Sequence, residues 1–112
     1  MKEYTLNSNI DMETFLTKLY AKTYKFSYIG RLEHWDVDGF FIKKEKENNF
    51  QIYYHTAYYN GFYRIKINVM PTAGGIHINA KSSRNILTSW NFGHKGFDLI
   101  VNLLNEICLI GN

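Results

Sequence analysis

Cysteine is almost absent from this chain, and its scarcity removes whole classes of chemistry. Cys108 stands alone, so no intramolecular disulfide can form and no cysteine-based metal centre can be assembled. Flanked by Ile107 and Leu109, it reads as a buried, inert thiol and not as a nucleophile. No apolar run approaches the length of a membrane span. Met1-Lys2-Glu3-Tyr4 opens on a polar, charged stretch without the apolar segment of a signal peptide, which reads as a cytoplasmic chain that meets no membrane. Catalytic and cofactor motifs are missing as well. There is no His-Glu-x-x-His, no pair of carboxylates beside the histidines and no Gly-x-x-x-x-Gly-Lys-Ser/Thr, so neither an enzyme nor a cofactor is expected. No repeat, linker or low-complexity segment interrupts the chain.

What is present is an aromatic-rich chain of 112 residues, 46% hydrophobic and 17% Phe, Tyr or Trp, which is one domain spanning 1–112 with a single core. The net charge of +3 is mild, so any preference for anions must come from where the charges stand.

Hydrophobic periodicity divides the chain into elements. Glu3 to Leu6 suits a short strand, after which Asn7-Ser8-Asn9 and Asp11 offer caps for a helix over 10–22. Within that helix Met12, Phe15, Leu16, Leu19 and Tyr20 form one apolar stripe. Tyr24 to Leu32 alternates as a strand, and Asp38-Gly39 predicts a turn before Phe40-Phe41-Ile42. That turn puts Trp35, Val37, Phe40 and Ile42 out of phase with Tyr28 and Leu32, so a bulge near Glu33-His34 is needed to reconcile them. The mixed-sign run from Lys43 to Asn49 reads as a solvated hairpin tip.

Asn60-Gly61 is the strongest short signal, because a type I′ turn requires positive φ at both central residues and this dipeptide tolerates it. The turn sets Tyr58 opposite Tyr63, His55 opposite Lys66 and Tyr53 opposite Asn68. A further strand, Ile76 to Lys81, follows the loop Met70 to Gly75, and a second amphipathic helix from about Lys95 carries Phe97, Ile100, Val101, Leu104, Ile107 and Cys108 on one stripe until Gly111. The expected fold is α+β: an antiparallel meander of five or six strands with an N-terminal helix and a long C-terminal helix packed on one face.

Candidate site residues come from the second face of that sheet. Tyr53, His55, Tyr59, Arg64, Lys66, His77, Asn79 and Lys81, with Arg84 in the polar connection beyond, form a basic, aromatic surface among which no carboxylate falls. Facing cations cost stability that an anionic partner relieves, and cations beside exposed rings are what a single-stranded nucleic acid uses. A solvated face, or one covered by another part of the chain, accounts for the same residues. The surface lacks the aromatic ribonucleoprotein motif of an RNA recognition domain. Two further features have simpler readings. His34, His55, His77 and His94 lack the partners of a metal site, and Gly93-His94-Lys95-Gly96, ahead of the last helix, lacks the spacing of a phosphate loop.

The leading expectation is a non-enzymatic binding protein whose basic face engages an anionic macromolecule, either nucleic acid or an acidic protein surface. The alternatives are an interaction module of the inhibitor or immunity type, and a helix-grip carrier holding an apolar ligand between sheet and last helix near Tyr54, Tyr58, Tyr63 and Trp90.

Overall fold

Helix α1 (Met12–Ala21) begins where its sequence supplies an acceptor. Asp11, extended at φ −82 and ψ 167, accepts the Thr14 amide at 2.6 Å and satisfies one of the amides that a helix start leaves open. In this computed structural model, which describes residues 3–25, 39–56, 61–82 and 93–110, α1 follows strand β1 (Glu3–Ser8) and leads to β2 (Tyr24–Lys25). Then come β3 (Gly39–Lys46), β4 (Asn49–Thr56), β5 (Gly61–Thr72), β6 (Gly75–Ser82) and the long helix α2 (Gly93–Ile110). The strands form one six-stranded sheet in the order β1-β6-β5-β4-β3-β2.

The fold is therefore α+β, but the sheet is mixed, which corrects the expectation of a purely antiparallel one. β2 runs parallel to β3, pairing Tyr24 with Phe41 and Lys25 with Ile42. A parallel pair needs a crossover of about a dozen residues, and the connection 26–38 is long enough for one. The two strands are thus not the arms of a hairpin, and Gly39 is a strand residue. Tyr28, Leu32, His34, Trp35 and Val37 lie outside the described residues.

Isoleucine-rich strand faces and both helices meet in one core. Ile42, Phe50, Ile52, Tyr63, Ile65, Ile67, Val69, Ile76, Ile78 and Ala80 cluster with Phe15 and Leu19 of α1 and with Phe97, Ile100, Leu103, Leu104, Ile107 and Cys108 of α2. Each fully buried aliphatic contributes roughly 1.5–3 kcal/mol, far more than the exposed Lys22–Glu106 ion pair (2.9 Å) that also ties α1 to α2. Tyr4 sits at the rim of this core and donates its hydroxyl to Asn105 Oδ1 at 2.9 Å. Burial pushes the Cys108 thiol up in pKa, against a hydrogen bond with Ser8, which keeps it protonated.

Turns explain the ends of the strands. The charged run read as a hairpin tip is mostly strand: β3 continues to Lys46, Glu47 and Asn48 make the turn, and Asn48 takes φ 67, a conformation asparagine tolerates. β5 and β6 likewise extend to an Ala73-Gly74 turn closed by Thr72 and Gly75. Pro71 is accommodated because β4 pairs β5 only as far as Asn68, so that flank of Pro71 has no strand among the described residues to donate to. Gly75, at φ 153, lets β1 leave the sheet, since a Cβ there would collide with the Ser8 carbonyl oxygen. Gly96 lets α2 settle on the sheet: a Cβ would lie 2.5–2.8 Å from Tyr63.

Two outcomes follow. Gly96→Ala destabilises by about 1–3 kcal/mol through overpacking, despite alanine's better helix propensity, whereas Gly74→Ala, with nothing within 4 Å of the new methyl, leaves the urea midpoint unchanged. For Asp11, hydrogen bonds from Thr14 hold the folded-state pKa below its ordinary 3.8. Its stabilising effect is complete above that value and vanishes as pH falls through the lower folded pKa. Acid titration of unfolding is expected to show the gap between the native chain and Asp11→Ala closing in that window, and a gap constant with pH contradicts the cap.

Candidate anion-binding face

Strand parity decides which side chains leave the core, and pairing decides which of them meet. The β4–β5 ladder runs from Asn49 opposite Asn68 to Thr56 opposite Gly61. This corrects the register expected from Asn60-Gly61: Tyr53 faces Arg64, His55 faces Phe62, and Lys66 faces Gln51, not His55. Gly61 belongs to the strand, and the connection is 57–60, a common hairpin loop length. Tertiary pairing explains the outcome. The observed register sets Phe50 against Ile67, Ile52 against Ile65 and Tyr54 against Tyr63, and lets Asn68 Nδ2 donate to Asn49 Oδ1 at 3.0 Å. A two-residue turn at Asn60-Gly61 would set Phe50 against Pro71. Because the shift is even, every residue keeps the face its alternation predicts.

That second face is not uniformly open. At its β2–β3 end the residues are packed: Phe41 and His55 are fully buried, and their rings meet edge-on with centroids 6.1 Å apart. Tyr24 lies over Phe41 at 5.2 Å, and Gly39 beneath it leaves only 3.2 Å for a Cβ. Tyr53 is buried as well, donating its hydroxyl to Gln51 Oε1 at 2.5 Å, while half-buried Arg64 approaches the same oxygen at 3.5 Å. The expectation that Tyr53 and His55 stand on an open surface is thereby corrected. Neither ring is available for a base to stack on, because the aromatic surplus packs this side of the sheet.

Exposure returns one row further along. Register places Lys43, Gln51, Lys66, Lys81 and Glu3 side by side across β3, β4, β5, β6 and β1. With strands about 4.8 Å apart, Lys43 and Lys81 stand roughly 14 Å from each other. Lys43, Lys66 and Lys81 are exposed, and Lys66 lies directly opposite Lys81. Glu3 ends the row, its carboxylate 3.7 Å from Lys81 Nζ and accepting from Asn79 Nδ2 at 3.1 Å. The face therefore does carry a carboxylate, contrary to expectation. The β1–β6 pairing that brings it there joins the two ends of the described sheet sequence, and no local pattern in the sequence announces it. With side chains 56% and 52% exposed, this pair neutralises Lys81 only weakly.

Behind the lysines lies a row of amides and a hydroxyl, Asn49, Asn68, Asn79 and Thr5, then His77 with its Nδ1 2.7 Å from Asn7 Oδ1. Of the sequence-expected residues, Lys66, His77, Asn79 and Lys81 share this exposed region, Arg64 borders it, and Tyr59 and Arg84 lie outside the described residues. Lys43, Glu3 and Asn7 are additions that alternation alone did not reveal.

Other expectations resolve more simply. Gly93 to Gly96 form the first turn of α2 and do not precede it. Tyr63 is buried and Tyr54 half-buried against the core, while Tyr58 and Trp90 are outside the described residues. Among the described residues no three of His, Cys, Asp and Glu gather as metal ligands, and no helix is long and apolar enough to cross a membrane. Comparison with known proteins yields no matching family model, no matching curated protein and no matching solved structure.

The Tyr53–Gln51 hydrogen bond yields a stability test. Tyr53→Phe costs about 1 kcal/mol in urea unfolding. Combined with Gln51→Ala, the loss falls short of the sum of the single losses, because both remove the same bond. Strict additivity excludes the bond.

Proposed function

We propose that this chain is a non-enzymatic binding protein that holds nucleic acid by its phosphate backbone against the row Lys43, Lys66 and Lys81. The observation that supports the reading is the direct opposition of exposed Lys66 and Lys81, a like-charge pair whose nearest carboxylate, Glu3, sits at the sheet edge. Facing cations cost a few tenths to about 1 kcal/mol in a sheet, and a phosphate between them reverses the sign of that term. Asn68, Asn79 and Thr5 behind the row supply amides and a hydroxyl, donors that reach phosphate and sugar oxygens without reading sequence. Since Tyr53 and His55 are buried, base stacking is not part of the proposal. Binding is expected to be sequence-tolerant and dominated by charge.

Single-stranded oligo-dT titrated across a salt series tests this. Affinity falls steeply with salt, and each of Lys66→Ala and Lys81→Ala flattens the slope of log K against log salt by about 0.7. Glu3→Gln acts in the opposite direction and tightens binding. An absence of binding at low salt, indifference to these substitutions, or tighter capture of poly-glutamate than of oligo-dT each overturns the proposal, the last in favour of an acidic protein surface.

A further inference from the structure

A second basic site lies away from the sheet face, where the C-terminal end of α1 overhangs the β2–β3 edge. A cleft of about 540 Å³ opens there, lined by Tyr20, Thr23, Lys25, Ile42, Lys43 and Lys44. Its volume falls within the range of small-molecule sites, roughly 300–1,000 Å³. β2 pairs only Phe41 and Ile42, so from Lys43 onward the outer flank of β3 has no strand partner among the described residues, and the cleft forms in that gap.

Its lining has a definite chemistry. Two exposed lysines, Lys25 and Lys44, lie on the Ile42 side of their strands, whereas alternation turns the side chain of Lys43 to the opposite face of β3, and no carboxylate is among the described lining residues. Lys22, also nearby in sequence, is turned away to Glu106. Ile42, 3% exposed, gives an apolar surface, and Tyr20, 47% exposed, presents a ring already steadied edge-on against Phe50 at 6.4 Å. An anion meets one opposing field, the C-terminal end of α1, equivalent to about half a negative charge. Part of that field is already spent: the Leu19 carbonyl accepts the Thr23 hydroxyl at 2.9 Å and the Lys22 amide at 3.2 Å. The two full positive charges of Lys25 and Lys44 outweigh the remainder.

We infer that this cleft binds a small phosphorylated aromatic molecule of the nucleotide class, its phosphates held by Lys25 and Lys44 and its ring laid on Tyr20 and Ile42. Both halves of such a ligand are needed: the charges alone would take any polyanion, and the apolar wall alone would take any ring. The site is independent of the sheet face from which Lys43, Lys66 and Lys81 project.

Calorimetric titration of the whole chain with ATP, inorganic triphosphate and adenosine tests the inference. ATP is expected to bind more tightly than either half. Lys25→Ala with Lys44→Ala, two exposed positions whose loss leaves the core intact, weakens ATP by roughly tenfold or more, while Lys46→Ala, at an exposed lysine outside the cleft and the sheet-face row, leaves it unchanged. Tyr20→Leu brings ATP down to the affinity of triphosphate. No binding of ATP at about millimolar concentration, equal binding of triphosphate and ATP by the native chain, or a loss on Lys46→Ala as large as that on Lys25→Ala with Lys44→Ala overturns it. None of these results bears on oligo-dT capture, so the two sites stand or fall separately.

Discussion

The pairing of β4 with β5 is the constraint on which the rest of this structure depends. These two strands occupy the middle of the sheet, and their register sets Ile52 against Ile65 and Phe50 against Ile67 on the core side. An even shift preserves each residue's face but moves its neighbours, so chemistry on the polar side is decided by energetics on the apolar side. Aligning large buried side chains contributes kilocalories. The preference of an Asn-Gly dipeptide for one turn is smaller and yields to it. Lys66 consequently lies beside Gln51 and Lys81, and the histidine once expected next to it is buried against Phe41.

How far the sequence was legible follows from the range of each interaction. Asp11 as a cap, the stripe of Phe15 and Leu19, the alternation of Phe50, Ile52 and Tyr54, and the burial of Cys108 are local or periodic facts, and all were readable. Partners across long separations were not. Glu3 meets Lys81 because β1 pairs with β6, the strand farthest from it along the chain, and β2 pairs parallel with β3. Burial on the second face was hidden for another reason. Tyr53, His55 and Phe41 alternate out of the core and so read as exposed, but alternation reports only which side of the sheet a residue occupies. It is silent on what covers that side.

Division of the second face into a packed aromatic end and a wet cationic end has an electrostatic consequence. Lys43, Lys66 and Lys81 project beside a sheet end from which water is excluded, whereas their own tips are exposed. Charges in such a position interact with a partner more strongly than isolated surface lysines do, because one side of their surroundings is poorly polarisable. Gln51 lies between Lys43 and Lys66, 8% exposed and already bonded to Tyr53. Being uncharged, it separates the two lysines without neutralising either. In the proposed reading, attraction to anions is built from placement, as the modest net charge requires.

The two edges of the sheet carry opposite solutions to one problem. An unpaired strand edge invites association with another chain, and natural sheets blunt it with charge, short strands or irregularity. At one edge β1 is a mixed strand whose Glu3 is engaged by Lys81 and Asn79. At the other, β2 is two residues long and a register shift interrupts β3 between Lys44 and Lys46. Edge protection alone accounts for lysines along β3. It does not account for the cleft beside them, where a buried isoleucine and a half-exposed tyrosine ring line the same space as Lys25 and Lys44. Protection against pairing is satisfied by charge on a flat edge. A concave recess with an apolar wall and no carboxylate among its described lining residues goes beyond that requirement, and it is the excess over what the edge needs that supports the cleft as a binding site.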